Sequence, residues 1–175
     1  MKKEKIDIVI REAIPDDAKE VLRFLEGVAT ETGFLSYGAE GLAISEEDEK
    51  YFIENILNSE NNLLLVAILG EQIIGTASVK AEAKPKMKHI GEIGISISKD
   101  FWGFGLGTML MEELIIWAEE SKVIRRLELT VQDRNQRAIH LYEKMGFEQE
   151  GLLKRGVYDD GEYLDVQLMS KMIDA

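Results

Sequence analysis

Apolar positions along this chain fall into blocks that switch between a spacing of two and a spacing of three to four, the pattern of interspersed strands and helices. Lys5–Arg11 alternates apolar and polar residues and predicts a strand. Pro15-Asp16-Asp17 predicts a helix start with acidic residues in its first turn, and Val21, Leu22, Leu25 and Val28 share one side of that helix. Thr32–Leu42, rich in glycine, small and aromatic residues, reads as a loop. Ser45-Glu46-Glu47-Asp48 has the form of a capping box that opens an amphipathic helix running to about Asn58. Leu63–Leu69 and Gln72–Val79 predict a hairpin closed by the tight Gly70-Glu71 turn.

Ala83–Lys88 is a basic connection containing a proline, and Ile90–Ile97 is the next predicted strand. Leu106–Ser121 is helical and apolar on more than one side, so burial is expected on several faces. Val123–Val131 predicts a strand, with Leu127, Leu129 and Val131 alternating against Glu128 and Thr130. Asn135–Met145 predicts a helix with Ala138, Leu141, Tyr142 and Met145 on one stripe. Gly146 is its expected left-handed cap, with Phe147 folding back on the last turn. Gly151–Tyr158 and Glu162–Met169 predict a final hairpin about Asp159-Asp160-Gly161. Without repeats or a low-complexity linker, one domain over residues 6–175 accounts for the whole pattern.

Composition narrows the chemistry. The 175 residues carry 21 Lys plus Arg against 33 Asp plus Glu, a net charge of −12 that opposes binding to a polyanionic backbone and suits a cationic substrate or a soluble acidic surface. With no cysteine and only His89 and His140, disulfides, thiolate metal sites and cysteine nucleophiles are excluded and a histidine metal cluster or a Ser-His-Asp hydrolase is poorly supported. The start, Met-Lys-Lys-Glu-Lys-Ile-Asp, lacks the apolar core of a signal peptide, and no apolar run reaches membrane-spanning length. The expectation is a cytoplasmic protein with neither nucleic acid nor membrane as partner.

The strongest chemical signal lies in Ser98–Leu110, where Gly103, Gly105 and Gly107 occupy every second position. Glycine accepts positive φ and lets backbone N–H groups approach a ligand, and a helix N-terminus adds unpaired donors and partial positive charge. An anion site is expected there. The spacing is neither the G-x-G-x-x-G of a dinucleotide fold nor a Gly-Lys-Ser/Thr nucleotide loop.

Two blocks together resemble one family. Ile95-Ser96-Ile97 followed by Trp102-Gly103-Phe104-Gly105-Leu106-Gly107, and Leu127–Val131 followed by Asn135-Gln136-Arg137-Ala138-Ile139-His140-Leu141-Tyr142-Glu143-Lys144-Met145-Gly146-Phe147, are similar to the GNAT superfamily of acetyl-CoA-dependent N-acetyltransferases. The resemblance implies an α+β fold, a mixed and mostly antiparallel sheet of about seven strands flanked by about four helices. It implies a cleft where the Ile95–Ile97 strand splays from the strand near Leu127. There the pantetheine arm of acetyl-CoA bonds Ile95, Ser96 and Ile97, with Asn135 and Ala138 nearby. The pyrophosphate falls to the loop and backbone from Trp102 through Gly103, Phe104, Gly105, Leu106 and Gly107 to Thr108. One departure is clear: the family usually carries Gln or Arg where this chain has Trp102, so a side-chain contact to the phosphates is lost there.

Acetyl transfer to an amine needs a base for the acceptor ammonium and an acid for the departing thiolate. By resemblance Tyr142 supplies the acid, with packing in the core as its plain alternative, and Asn135 is equally a favoured helix N-cap. By resemblance Glu92, at a place where many family members carry a glutamate, is the candidate base; alternation puts it opposite Ile93 and Ile95, with a solvent-facing strand residue as its plain alternative. Glu128 and His89 are weaker, and His140 falls on a polar face. The resemblance implies an acceptor site at Thr30–Leu42, Lys84–His89 and Arg155–Tyr163, where Phe34, Tyr37 and Tyr158 either line a pocket or pack loops. The expected acceptor is a small-molecule amine or a peptide N-terminus, with a homodimer possible. The rivals are a catalytically silent CoA-binding sensor and a transferase for longer acyl groups.

Overall fold

In a computed structural model describing residues 7–34 and 43–174, the strands and helices form one seven-stranded sheet with helices on both faces. The order is β1 (Ile8–Glu12), α1 (Ala18–Glu31), α2 (Glu46–Leu57), β2 (Leu63–Leu69), β3 (Gln72–Lys80), β4 (Ile90–Ile97), α3 (Leu106–Ser121), β5 (Arg126–Gln132), α4 (Gln136–Lys144), β6 (Glu148–Asp159) and β7 (Glu162–Met172). In space the strands run β1-β2-β3-β4-β5-β7-β6, and only the β4–β5 pair is parallel. No helix among the described residues is long and apolar enough to cross a membrane.

Alternation along the strands sends side chains to two separate cores. Leu63, Leu65, Ala77, Val79, Ile93 and Leu127 pack with Leu110, Met111 and Leu114 of α3 and Ile139 of α4. On the other face Val66 and Ile73 meet Val21, Phe24 and Val28 of α1 and Ile53 of α2. Helix α3 buries Leu106, Leu110, Met111, Leu114 and Ala118, in accord with its broad apolar surface.

Several boundaries move for local reasons. The Pro15–Asp17 turn is a separate 3₁₀ segment; Asp17 accepts the Ile14 N–H at 2.8 Å and a forked pair from Arg11 at 2.7 and 2.9 Å, so α1 begins only at Ala18. In α2 the expected cap is present, with Ser45 Oγ accepting the Asp48 N–H at 3.1 Å. The β5 strand starts at Arg126, not Val123, because Ser121 Oγ receives the N–H groups of Val123 and Ile124 in the turn that ends α3. Strands β6 and β7 outrun their sequence signals, and β6 keeps pairing by breaking register between Gln149 and Gly151 and between Leu153 and Val157.

Arg126 ties this edge together. It forks onto Glu150 at 2.7 and 2.6 Å and donates Nε to Glu128 at 2.8 Å, while Ser170 Oγ also donates to Glu150. These contacts hold the Glu150 carboxyl down at about 2, so its stabilising effect is present above the ordinary carboxylate range and disappears as pH falls towards about 2. Glu150→Gln is expected to flatten the acid limb of stability between about pH 5 and pH 2, read as urea midpoints. A variant as acid-sensitive as the parent over that window overturns the assignment.

Candidate active site

Strands β4 and β5 pair in parallel for three rungs, Ile90 to Arg126, Gly91 to Leu127 and Glu92 to Glu128. Beyond them the strands diverge, and the β5-side edge of Ile93–Ile97 has no strand to bond, while its other edge stays paired with β3 from Gly75↔Ile97 to Lys80↔Glu92. A V-shaped cleft results, opening into a cavity of about 1530 Å³.

The glycine loop closes the wide end. Gly103 and Gly105 both have φ of +83°, where a side chain would be strained, and Gly105 is the N-cap of α3. A Cβ on Gly107 would meet Leu141 at 3.0 Å and Ile97 at 3.4 Å, so this glycine lets α3 start close against α4 and β4. The first N–H groups of α3 have no carbonyl one turn earlier to bond and remain available to a ligand.

Helix α4 supplies the far wall. Asn135 Oδ1 caps it by accepting the Ala138 N–H at 3.3 Å, which leaves its amide NH₂ for other partners. At the C-terminal end Gly146 adopts φ of +91° and the Phe147 N–H bonds the Tyr142 carbonyl at 2.9 Å. Buried Phe147 then packs its ring 6.0 Å from that of Tyr142. The Tyr-x-x-x-Gly-Phe spacing is thus a device for aiming Tyr142. Its phenol makes no hydrogen bond among the described residues, yet no sealed side-chain oxygen there lacks a partner, so the hydroxyl reaches the cavity. Burial pushes its pKa up to about 12.

The structure gathers nearly every expected residue around the one cavity. Glu92, Ile95, Ser96 and Ile97 line it from β4; Trp102, Gly103, Gly105, Leu106, Gly107 and Thr108 from the loop and α3; and Asn135, Ala138 and Tyr142 from α4. Phe104 is the exception: its side chain is 79% exposed at the loop tip and does not line this cavity, so any contribution there is by backbone. Trp102 lines the cavity but spends its indole N–H on the Ile97 carbonyl at 2.9 Å, so part of the bonding capacity of Ile97 is already used.

Glu92 shares a polar face with Thr76, Ser78, Lys80 and Ser96 through the β3–β4 register, opposite the apolar face that packs α3. Glu128 is tied to Arg126, and His140 is exposed. Phe34 lines the cavity, whereas Tyr158 stacks 5.1 Å from Tyr163 at the exposed hairpin tip and does not. Tyr37 and most of the Thr32–Leu42 loop lie outside the described residues.

Three features were not anticipated from the pattern of residues. Glu49 of α2 is 4% exposed, lines the cavity with a carboxylate that makes no hydrogen bond among the described residues, and has its pKa raised by burial against the pull of Lys80. Its position in an acidic run, Glu46-Glu47-Asp48-Glu49, disguised it as surface. The end of α1 spans both arms of the cleft: Glu31 accepts the Lys99 N–H at 2.8 Å, and the Gly33 carbonyl accepts from Gln132 at 2.9 Å and Arg134 at 3.3 Å. Arg137 of α4 also lines the cavity, beside Trp102.

Residues 22–147 match the model of the Acetyltransferase (GNAT) family. The L-amino acid N-acetyltransferase AaaT of Escherichia coli is 32% identical over 108 residues, 62% of this chain and 67% of its own length. The spermidine N(1)-acetyltransferase of Vibrio cholerae is 26% identical over 85% of each chain. A GNAT-family acetyltransferase from Streptococcus pneumoniae superposes with a TM-score of 0.94 at 42% identity, covering 96% of this chain and all of the other. A Sinorhizobium meliloti phosphinothricin acetyltransferase in complex with acetyl-CoA shares the fold, with a TM-score of 0.81 at 21% identity over 95% of this chain and 88% of its own. The splayed strands, the glycine loop and these likenesses agree: the chain belongs to the GNAT family, and it is an acyltransferase that uses acetyl-CoA as its cosubstrate.

Proposed function

We propose that the enzyme acetylates a primary amine by direct attack, with the acyl donor in the β4–β5 cleft and the acceptor on the polar face beneath α1 and α2. The observation that carries this reading is the unpaired edge of Ile93–Ile97 leading straight into a loop with two left-handed glycines. An extended arm with amides suits the edge, as an added strand would, and a pyrophosphate suits the N–H groups of Leu106, Gly107 and Thr108 at a helix N-terminus. Acetyl-CoA supplies the activated acyl group and a good leaving thiolate.

The residues of this chain then manage protons and position. Glu92 takes the proton from the acceptor ammonium, directly or through water, and releases the lone pair that attacks. Backbone N–H groups of the open β4 edge favour charge developing on the acyl oxygen. Tyr142 donates its hydroxyl hydrogen toward the departing sulfur. Glu49 and Glu92, two carboxylates in one cavity, favour an acceptor that arrives as a cation, and relatives named for L-amino acids and spermidine make a small-molecule amine the first choice over a protein N-terminus. On this reading the enzyme works in the cytoplasm.

The test is thiol release from acetyl-CoA across amino acids, polyamines, aminoglycosides and N-terminal peptides. Acceptor-dependent release is expected from at least one class; tight CoA binding with no release from any would favour the sensor. Glu92→Gln is expected to lower turnover by about 100-fold or more at neutral pH. The loss should shrink towards pH 10, where an amine of ordinary pKa sheds its own proton. A loss equal at every pH would remove Glu92 from the base role.

A further inference from the structure

With Trp102 the loop offers no polar side chain at its first position, yet a cation borders it. Arg137, in the first turn of α4, lays its guanidinium over the Trp102 ring at 4.8 Å from the centroid. Its Nη2 lies 3.9 Å from where a Cβ on Gly103 would be, so it borders the left-handed part of the loop. The indole beneath it is anchored in turn, by Nε1 donating to the Ile97 carbonyl at 2.9 Å. Trp102, Gly103, Gly105 and Arg137 all face the cavity.

Arg137 has no ion pair or hydrogen bond among the described residues, although acids outnumber bases 33 to 21 in this chain. Arg11, Arg126 and Arg134 are each paired with a carboxylate. The contrast matters because a carboxylate neutralises a guanidinium and occupies its N–H fork, whereas an aromatic face holds it flat and leaves the N–H groups free. A stacked, unspent guanidinium beside a helix N-terminus is prepared for a forked contact with a phosphate.

We infer that Arg137, held in place by Trp102, is the side-chain contact to the pyrophosphate of acetyl-CoA, replacing from α4 the polar group that the loop lacks. Trp102 is then a positioning residue. The inference rests on the proposed seat of the pyrophosphate at the glycine loop.

Direct binding by titration calorimetry of CoA, 3′-dephospho-CoA and pantetheine to the full chain separates the possibilities. Arg137→Gln is expected to weaken CoA and 3′-dephospho-CoA alike by about tenfold, to leave pantetheine unchanged, and to reduce the salt dependence of CoA binding. Arg137→Lys should fall between, since an ammonium keeps charge but not the fork, and Trp102→Leu should cost a smaller factor by freeing the guanidinium. Unaltered melting of each variant confirms that the fold is intact. Equal CoA affinity in parent and Arg137→Gln overturns the inference. So does a loss for CoA but not for 3′-dephospho-CoA, which assigns the arginine to the 3′-phosphate. If the parent binds CoA no better than pantetheine, the glycine loop is not the pyrophosphate seat and both readings fall.

Discussion

Tyr142→Phe is expected to reduce turnover about 100-fold or more while leaving the affinity for CoA within about twofold. The ring keeps its packing on Phe147, so the variant deletes only the hydroxyl that opens onto the cleft. Burial has raised the phenol to about 12, well above the ordinary thiol near 8.5, so full proton transfer to a solvated thiolate would run uphill. Burial beside the phenol would raise the basicity of the sulfur in the same way, and a hydrogen bond that hardens into transfer late in the departure satisfies both. The raised value also has a sign: the phenol stays protonated throughout the useful range. No alkaline fall in turnover from this group is therefore expected below about pH 10. Stopped-time thiol assays from pH 6 to 10, with CoA affinity measured separately, decide the matter. Equal turnover in the two proteins would remove Tyr142 from the chemistry.

Gly91→Ala carries the largest expected effect on stability. Gly91 is the middle rung of the short parallel ladder, and an added Cβ would lie 2.6 Å from Val79, 3.2 Å from Leu127 and 3.4 Å from Ile124. These three side chains are about 1% exposed or less, so none can swing into solvent to make room. Overpacking of this kind costs about 1–3 kcal/mol, a fall of about 2–12 °C in Tm for a chain of this size. Alanine would ordinarily gain a little in a strand by restricting the unfolded chain, which makes the sign informative. CoA affinity should fall too, because the ladder at Gly91 is the root from which the two arms diverge. A thermal melt at or above that of the parent refutes the packing argument.

Much of the site was legible because its parts are local. The helix N-cap at Asn135, the left-handed cap at Gly146 and the return of Phe147 onto Tyr142 are all written within thirteen consecutive residues, and each follows from the chemistry of a helix end. The glycine loop is local for the same reason. Strand alternation placed Glu92 opposite Ile93 before any pairing was known. Errors gathered where a neighbour in space outweighed a neighbour in sequence: Ser121 captured the N–H groups that a longer β5 would have used, and the β7 partner carried β6 beyond its apolar signal.

What the sequence by itself determined is the order of the elements, the two faces of each strand, the left-handed glycine loop that opens α3 and the packing of Tyr142 on Phe147, because each depends on periodicity or capping within a few residues. The tertiary structure decided where the β4–β5 pairing stops, that Glu49 turns inward from an acidic run, that α1 bridges both arms of the cleft, and that Arg137 lies over the Trp102 ring. Those outcomes join residues 31 to 99, 33 to 132 and 102 to 137, and no local propensity encodes such distances; they are set only when the two cores pack and the sheet takes its final register.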